Sequence, residues 1–326
     1  QKISPPVQGV FQAPFDFPWI IRRIIRSLCP AILILIETEI WPNWIAITHR
    51  RRIPIMVING RISTDAMKRY VAFKWMFKSI LNKIDQLLVQ GEIYRERFIQ
   101  LGVLPGKIKK CGNIKADEAG HARQDLVPID QIYSHLKITS PDYPVIACAS
   151  THPSDEAVIL PAISRLQEKY GFILVPRHPD RLNEIIKTLE LAEIPYQIWS
   201  KTDQADLSKS LLIYDRIGYL FNIQAISDLV IMGGSFEQKI GGHNLYEPAI
   251  LGKRIIGGPC YNNFPEIGDS LIKADIYSQV TDSDEMANEI NRCIEADPVL
   301  SARAESIVRE RKGSVTCILE SIGEIL

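Results

Sequence analysis

The chain has 326 residues, of which 46% are hydrophobic and 23% are charged, a composition typical of a globular protein with a substantial core. That length is sufficient for two domains of ordinary size. Lysine plus arginine equals aspartate plus glutamate, at 38 residues each, so no net charge favours binding to nucleic acid.

The six cysteines contain no Cys-x-x-Cys pair, which argues against a zinc site and against a thioredoxin-like motif. Most of them lie in or beside apolar runs, where a reduced core cysteine is usually found. We therefore expect free thiols and a reducing compartment. No apolar run approaches the length of a membrane-spanning helix.

The chain opens with a proline-rich segment, residues 1–18, which predicts a loop. A helix is predicted from Trp19 to Arg26, with Arg22, Arg23 and Arg26 at helical spacing. Two interpretations are open for this cationic and apolar helix. Either it lies on an anionic membrane surface, or it packs on a sheet with its arginines in water.

Apolar segments of strand length alternate with helical patterns along most of the chain, which predicts doubly wound parallel sheets. The predicted strands are residues 31–36, 54–58, 86–90, 108–112, 144–149, 172–175, 196–199, 211–214, 228–232, 254–256 and 275–280. The first of them is wholly apolar and is typical of a strand buried on both faces. We expect an α/β fold with two domains around one cleft, and ligands at the carboxyl ends of the strands.

Helical patterns fill most of the intervals between these strands. Helices are predicted at residues 41–50, from residue 63 onward as one long helix, at residues 93–101 and over most of residues 284–326. Residues 116–143 are more polar and predict a linker with a short helix. The chain therefore alternates strand and helix in two series, separated by this linker.

The richest signal is the segment from residue 232 to residue 259, MGGSFEQKIGGHNLYEPAILGKRIIGGP. Gly233 and Gly234 follow an apolar strand, and a second pair of glycines comes just before His243. Glycine allows a backbone to approach a ligand closely, and a helix that starts after such a loop offers N–H groups to an anion. Glu247, one turn further on, is placed to accept both hydroxyls of a ribose. These features predict a nucleotide or sugar-nucleotide site.

Charged side chains follow several predicted strands. Glu37 and Glu39 follow the first strand, where a carboxylate points into the crevice of a parallel sheet, although helix capping is the alternative. Lys115 follows the fourth strand and is placed to balance negative charge on a substrate. Arg177 follows the strand at residues 172–175, where its planar fork of donors is placed to grip a phosphate or a pyrimidine base.

Two further turns bear on ligand binding. Gly218 opens a helix, where a residue without a side chain lets a nucleotide approach the backbone. Asp282-Ser-Asp284 superficially resembles a metal-binding Asp-x-Asp motif, but a helical pattern with Glu285 follows at once, so we interpret it as an N-cap. No cluster of cysteine and histidine indicates a metal, and no P-loop motif is present.

A series of longer motifs runs along nearly the whole chain. In order, they are ETEIWPN, NGRIS, GNIKAD, ASTHPSDE, PRHPDR, MGGSF, GGHNLYEP and the GP-x4-NF that ends at Phe264. This series resembles the bacterial Kdo transferases, the 3-deoxy-D-manno-octulosonic acid transferases of lipopolysaccharide synthesis. The resemblance implies a GT-B glycosyltransferase that moves Kdo from CMP-Kdo to a tetraacyl lipid A precursor, with inversion, at the cytoplasmic face of the bacterial inner membrane. It implies no metal and no cofactor besides the donor substrate.

The resemblance also implies roles for individual residues. Those that match the family's CMP contacts are Pro176, Arg177, Ile217, Gly218, Tyr219, Asn244, Leu245, Tyr246 and Glu247. Glu37 and Lys115 match residues that stabilise the transition state. The implied partners are CMP-Kdo, the lipid A precursor and the inner-membrane surface, and no nucleic acid.

One feature departs from the family pattern. The family's catalytic base is a glutamate in a Ser-x-Gly-Glu-like motif, and no such motif precedes Glu37. We therefore expect an incomplete amino-terminal domain at residues 1–135, a complete CMP-sugar-binding domain at residues 136–310 and a terminal helix at residues 311–326 that packs on the first domain. Two alternatives remain: a non-catalytic CMP-sugar-binding chain, or another GT-B enzyme such as a sugar-nucleotide epimerase.

Overall fold

The computed structural model describes residues 9–139, 142–208, 210–294 and 299–326, so the start of the predicted amino-terminal loop, residues 1–8, lies outside the described residues. The chain divides into two compact units. The first is Gln1–Ile114 together with Gly313–Leu326, and the second is Lys115–Lys312. The amino-terminal part of the first unit thus ends at Ile114, before the predicted domain limit at residue 135, because residues 115–135 belong to the second unit.

The described part of the chain contains fifteen α-helices and eleven β-strands, and each predicted strand is present. The strands are β1 (Leu33–Ile36), β2 (Ile55–Gly60), β3 (Gln86–Val89), β4 (Ile108–Lys110), β5 (Val145–Thr151), β6 (Gly171–Pro176), β7 (Tyr196–Ile198), β8 (Leu211–Ile213), β9 (Leu229–Met232), β10 (Arg254–Gly257) and β11 (Tyr277–Gln279). The helices are α1 (Pro18–Leu28), α2 (Pro42–Arg50), α3 (Thr64–Ala72), α4 (Lys74–Leu81), α5 (Glu92–Gln100), α6 (Ile114–Gln124), α7 (Ile129–Leu136), α8 (Pro153–Leu166), α9 (Leu182–Leu191), α10 (Leu220–Ile226), α11 (Tyr246–Ile250), α12 (Pro265–Lys273), α13 (Ser283–Ile294), α14 (Val299–Arg309) and α15 (Ser314–Ile325).

The first unit is built on a parallel sheet in the order β1-β2-β3-β4. Its core contains side chains from these strands and from the helices beside them, including Val57, Leu87 and Phe98. On β1, however, the side chains of Ile34 and Ile36 are 36% and 55% exposed. The prediction that this strand is buried on both faces is wrong, because β1 is an edge strand and the described elements leave one of its faces open.

The second unit contains a parallel sheet in the order β11-β10-β9-β5-β6-β8-β7. Strand β5 lies inside this sheet and is buried along its whole length. Successive side chains of a strand point to opposite faces. Accordingly, Ala147 belongs to the apolar cluster on one face and Cys148 to the cluster on the other. Both faces are covered, as a parallel sheet requires, and the predicted α/β class is confirmed.

Two helical regions differ from the prediction. The stretch predicted as a linker, residues 116–143, contains α6 and α7, whose side chains Ala119 and Ile132 are buried in the second unit. The long helix predicted from residue 63 is interrupted at Phe73, so that α3 and α4 are separate. Ser63 does cap α3, because its hydroxyl accepts a hydrogen bond from the N–H of Ala66 at 3.1 Å.

The last helix, α15, packs in the first unit. Its Ile318 contacts Met56 and Leu88, which lie on the central strands of the first sheet. Cys317 of the same helix forms a disulfide with Cys111, which follows β4. The expectation of reduced thiols is therefore wrong for these two cysteines, because the fold brings together residues 206 positions apart in sequence. The remaining cysteines are unpaired.

Helix α1 buries its apolar face inside the first unit. Ile21 and Ile25 are buried against Ile47 of α2, and the predicted arginines of α1 are exposed. This arrangement agrees with the interpretation of a packed helix whose arginines lie in water. Among the helices of the described residues, none combines the length and the apolar character needed to span a bilayer.

Candidate functional site

The order of strands creates a crossing point at the carboxyl edge of the second sheet. The chain leaves β5 and continues on one side of it with β6, and it later returns from β8 to form β9 on the other side. In open α/β sheets, ligands bind in the crevice at such a point. The residues that follow β5, β6 and β9 are therefore placed to form a binding site.

The glycine pair after β9 lies at this crossing point and is packed against the protein itself. A Cβ at Gly233 would lie 2.4 Å from the carbonyl oxygen of Ser150. Gly234 has a φ of +70°, and a Cβ there would lie 2.8 Å from Cδ2 of His243. The expectation that these glycines admit a ligand to the backbone is therefore corrected. Ser150 and His243 fill the space beside them, and the side chain of a larger residue at either glycine would clash with these groups.

Asp155, in the first turn of α8, binds the N–H groups of this glycine loop. Its carboxylate accepts hydrogen bonds from the backbone N–H of Gly234 at 2.7 Å, of Ser235 at 3.2 Å and of Phe236 at 3.3 Å. It also accepts one from the N–H of His152 at 2.8 Å. Burial raises the pKa of Asp155, and these hydrogen bonds oppose that rise. A buried carboxylate thus occupies these N–H groups of the glycine loop, which are not available to a phosphate.

Two histidines face each other beside the glycine loop. His152 follows β5 and His243 follows the second glycine pair, and their Nε2 atoms are 2.9 Å apart. Their rings stack with centroids 5.1 Å apart, and the ring of His178, which follows β6, meets His152 edge-on at 5.7 Å. Burial, together with the charges of His152, Arg177 and His178, lowers the pKa of His243 to about 4. Three loops therefore bring three imidazoles and a guanidinium to the crossing point.

Pro176 and Arg177 end β6 beside this group. Pro176 is buried, whereas the side chain of Arg177 is exposed. The N–H of Arg177 donates to the carbonyl of Thr151 at 3.0 Å, which holds the base of the side chain beside the end of β5. The next arginine, Arg181, is instead engaged by Glu156 at 2.9 and 3.2 Å. Of Arg177 and Arg181, it is therefore Arg177 whose planar guanidinium is turned toward solvent at the crossing point.

Asn244 and Glu247 form a local pair at the start of α11. Nδ2 of Asn244 donates to Oε1 of Glu247 at 3.0 Å, and Oδ1 of Asn244 accepts from the N–H of Tyr246 at 3.1 Å. Leu245 and Tyr246 are buried in the core of the second unit. Burial raises the pKa of Glu247, and the hydrogen bond from Asn244 opposes that rise. The site thus presents a half-buried carboxylate in a fixed position.

Lys115 lies near Glu247, at the start of α6. Its Nζ is 2.7 Å from Oε2 of Glu118. The charge of Lys115 lowers the pKa of Glu247, whereas the charge of Glu118 raises it. The structure therefore places Lys115 in the same unit as all the residues that match the family's CMP contacts.

Tyr219 belongs to an aromatic group at the carboxyl ends of β7 and β8. Its ring lies 3.9 Å from that of His135, which also stacks on Trp199 at 5.1 Å. Nε2 of His135 is 3.1 Å from the hydroxyl of Tyr214, whose pKa burial raises to about 12. This group forms an aromatic wall on the side of the crossing point that β6 and β8 occupy.

Ile217 and Gly218 come before this aromatic wall and are open to a ligand. The side chain of Ile217 is 87% exposed. Gly218 has a φ of +98°, and no atom lies within 4 Å of the place where its Cβ would be. In contrast to Gly233 and Gly234, the backbone at Gly218 has space beside it that the protein does not fill.

Glu37 lies in the first unit, immediately after β1, with a φ of +61°. Its Oε2 accepts from the guanidinium of Arg61, at 3.1 Å from Nε and 3.0 Å from a terminal nitrogen. The other candidate of this segment, Glu39, accepts from Nε1 of Trp41 at 2.9 Å. Glu37 is thus a paired carboxylate at the end of a strand.

The remaining acidic motif is a helix cap. Oδ1 of Asp282 accepts from the N–H of Asp284 and from that of Glu285, each at 2.9 Å, so the interpretation as an N-cap is confirmed. In the part of the chain that the structure describes, no group of three or more histidine, cysteine, aspartate or glutamate side chains is arranged to hold a metal ion.

Sequence reasoning did not identify three features of these sites. They are the carboxylate of Asp155 that holds the glycine loop, the facing imidazoles of His152 and His243, and the pairing of Arg61 with Glu37. Each of these residues lies in a motif that follows a predicted strand, which was the available signal. What the pattern could not show is which of those motifs touch one another.

The chain is similar to known transferases along most of its length. Residues 1–118 match the family model of 3-Deoxy-D-manno-octulosonic-acid transferase (kdotransferase). The 3-deoxy-D-manno-octulosonic acid transferase of Chlamydophila psittaci is 31% identical over 80% of this chain, and the chain spans 60% of that relative's length. The transferase of the same name from Haemophilus influenzae is 31% identical over 93% of this chain and 69% of its own length.

Among solved structures, a glycosyltransferase from Rickettsia africae is similar over 97% of this chain and 84% of its own, with a TM-score of 0.66 and 16% sequence identity. This likeness supports the fold, which is of the GT-B type with parallel α/β sheets. The identity and coverage of the Haemophilus influenzae relative, together with the family model, establish the relationship in sequence. The chain belongs to the 3-deoxy-D-manno-octulosonic acid transferase family.

Proposed function

We propose that this protein is a glycosyltransferase that moves Kdo from CMP-Kdo to a tetraacyl lipid A precursor in lipopolysaccharide synthesis. Membership of the family supports the reaction type and the sugar. The observation that carries the choice of donor is the arrangement at the carboxyl edge of the second sheet, where the exposed Arg177 and the fixed carboxylate of Glu247 lie around one crossing point. A nucleotide offers a phosphate to Arg177 and two ribose hydroxyls to Glu247.

Each proposed donor contact has a physical basis in this site. Glu247 accepts the ribose hydroxyls, because a carboxylate can accept two hydrogen bonds and Asn244 holds it in place. Arg177 binds the phosphate or the cytosine through its planar fork of donors. The open backbone at Gly218 and the ring of Tyr219 border the nucleotide on the side of β8.

In the proposed reaction an acceptor hydroxyl attacks the anomeric carbon of Kdo and loses its proton to the solvent. The bond from that carbon to the phosphate oxygen breaks, and CMP leaves with the electron pair. Lys115 opposes the negative charge that develops on the leaving group, and Glu37 stabilises the positive charge on the sugar. No residue of this chain is assigned as the general base, and neither a metal nor a further cofactor is proposed.

The acceptor is a lipid, so the proposed place of action is the cytoplasmic face of the bacterial inner membrane. In the first unit the rings of Phe17 and Trp19 stack 4.9 Å apart and are largely exposed, beside the exposed Arg22 and Arg23. Although the apolar face of α1 packs on α2, aromatic and cationic side chains that are exposed together are typical of a helix that binds an anionic bilayer surface. Vesicle flotation tests this point: anionic vesicles should retain the protein, and the double change Arg22→Ser with Arg23→Ser should release it. Equal retention by neutral vesicles would contradict it.

The direct test of the proposed function is a transfer assay with CMP-Kdo and the lipid A precursor. The Haemophilus influenzae relative serves as the active control. We expect a Kdo–lipid product and released CMP in equal amounts. Failure of CMP-Kdo to bind, or its conversion without any Kdo–lipid product, would contradict the proposal.

A further inference from the structure

Three successive N–H groups of the glycine loop after β9 are not available to the phosphate of a donor. The N–H groups of Gly234, Ser235 and Phe236 all donate to the carboxylate of Asp155. A phosphate at the crossing point therefore cannot use these three N–H groups, and the side chains around them are an alternative source of donors. The cationic or protonatable side chains that meet there are Arg177, His152, His178 and His243.

The contact between His152 and His243 limits how many protons the pair can hold. Their Nε2 atoms are 2.9 Å apart, so one ring donates an N–H to the unprotonated nitrogen of the other. If both Nε2 atoms carried a proton, the two N–H groups would point at each other and repel. An anion beside the two rings removes that conflict, because it accepts a hydrogen bond from each.

We propose that the His152–His243 pair is the subsite for the phosphate of the donor nucleotide, and that the pair takes up a proton when the phosphate binds. The inference rests on the proposed function, because the phosphate in question is that of CMP. It adds to that function two residues that bind through imidazole N–H groups, and a coupling between nucleotide binding and protonation.

The charges around the pair favour the neutral state until an anion arrives. Burial lowers the pKa of both histidines, that of His243 to about 4. The groups that act on His243 are His152, Arg177 and His178, and those that act on His152 are Asp155, His178, Arg181 and Arg177. Of these, only Asp155 favours protonation, and its carboxylate is already bound to the glycine loop. A phosphate would supply the negative charge that the pair lacks.

The coupling has a definite sign. In the free protein His243 is neutral near neutral pH, because its pKa lies at about 4. A bound phosphate raises the pKa of the pair, since it stabilises the protonated form. The affinity for CMP therefore falls as the pH rises through the pKa of the bound state, and it levels off below the pKa of the free state. Cytidine, which has no phosphate, should show no such slope from this pair.

Calorimetry on the whole chain tests the inference without any substitution. CMP and cytidine are titrated near neutral pH in buffers that differ in their enthalpy of ionisation. A ligand that draws a proton from the buffer gives an observed heat that depends on the buffer. We expect CMP binding to take up a proton from the buffer, whereas ionisation of the phosphate itself, with a second pKa of about 6, would release one, and we expect no buffer dependence for cytidine.

Substitutions of the two histidines test whether the proton taken up on CMP binding goes to this pair. His243→Gln should weaken CMP binding by about ten- to a hundredfold, the effect of losing a hydrogen bond to a charged group, and should leave cytidine binding unchanged. It should also abolish the buffer dependence. His152→Asn provides a second variant should His243→Gln fail to fold. His49→Gln, on α2 of the first unit, is the matched control and should bind CMP like the wild type.

The outcomes separate this inference from the proposed function. CMP binding with no buffer dependence, or unchanged CMP affinity in a folded His243→Gln variant, overturns the phosphate subsite while the proposed donor remains supported. If the folded wild-type chain binds neither CMP nor cytidine, both the subsite and the proposed function are overturned.

Discussion

Asn244 fixes the carboxylate of Glu247, with its Nδ2 3.0 Å from Oε1 of that residue. The orientation of the amide follows from its other end, because the N–H of Tyr246 needs an acceptor and finds Oδ1 of Asn244 at 3.1 Å. The amide can therefore present only its donor side to Glu247. A carboxylate held in this way is placed before a nucleotide arrives, which reduces the entropy lost on binding.

This relationship predicts the effect of removing the carboxylate. Glu247→Ala should weaken CMP binding by about 1–3 kcal/mol, the usual range for a lost hydrogen bond to a charged group. Isothermal titration measures it. Glu237→Ala is the matched control, because Glu237 is exposed and lies in the same glycine-rich segment. Unchanged affinity for CMP in a folded Glu247→Ala protein would contradict the assignment of the ribose contact to Glu247.

Arg177 should not be replaceable by lysine. A guanidinium presents a rigid planar fork, whereas an ammonium is a compact point charge. Arg177→Lys should therefore weaken CMP binding nearly as much as Arg177→Ala, by about tenfold or more if a bidentate contact is lost. The comparison of the two variants by titration is the test. Near-normal binding by the lysine variant would show that Arg177 contributes only diffuse charge.

Glu37 should affect transfer without affecting the donor. Its carboxylate is paired with Arg61 in the first unit, and the proposed role is to stabilise charge in the transition state. Glu37→Gln should lower the rate of Kdo transfer by about 10²–10³-fold, as the loss of one electrostatic stabiliser typically does. CMP affinity should stay at the wild-type value.

Glu39→Gln is the comparison that makes the test of Glu37 specific. Both glutamates follow β1, but Glu39 is engaged by Trp41 rather than by an arginine. We expect little effect on transfer from Glu39→Gln. Equal loss of transfer in the two variants would contradict the choice of Glu37.

The bond between Cys111 and Cys317 should stabilise the first unit. A disulfide that closes a long loop contributes about 2–4 kcal/mol by restricting the unfolded chain. Cys317→Ser should therefore lower the urea midpoint under non-reducing conditions, and a reducing agent should remove the difference. Cys29→Ser is the control, since Cys29 is exposed and unpaired. Full alkylation of Cys111 and Cys317 in the folded, non-reduced protein would contradict the pairing.

Acid should destabilise the fold through His243. Its pKa is lowered from 6.5 to about 4, so between these values the unfolded chain binds more protons than the folded chain. Stability therefore rises with pH across this window and is lost as the pH falls through it. Urea unfolding at several pH values should show a steeper loss for the wild type than for His243→Gln. Parallel curves would show that His243 is not held neutral by the fold.

The strands could be predicted from the sequence because each is a short apolar run between polar turns. Strand β5 is buried along its whole length, and its residues form a nearly unbroken apolar segment. The exposure of Ile36 could not be predicted in the same way. It depends on the position of β1 at the edge of the sheet, and that position is decided by strand pairing across the unit rather than by local sequence.

In the candidate site, too, local patterns could be predicted from the sequence, whereas contacts between distant residues could not. Gly233 and Gly234 were recognisable as a signal, but the groups for which they make room come from distant parts of the chain. His152 and His243 are 91 residues apart, and Cys111 and Cys317 are 206 residues apart. No local spacing connects such residues, because the packing of several elements determines their contact. Residues within one turn, such as Asn244 and Glu247, were identified together.

Hydrogen–deuterium exchange with and without CMP tests the central claim most directly, because it reports where the nucleotide binds. We expect slower exchange on CMP binding in peptides that contain residues 176–178, 217–219 and 243–247 of the second unit. We expect no change in the strands of the first unit. Slower exchange confined to the first unit, or no change in the second unit at any CMP concentration, would contradict a CMP-sugar site in the second unit.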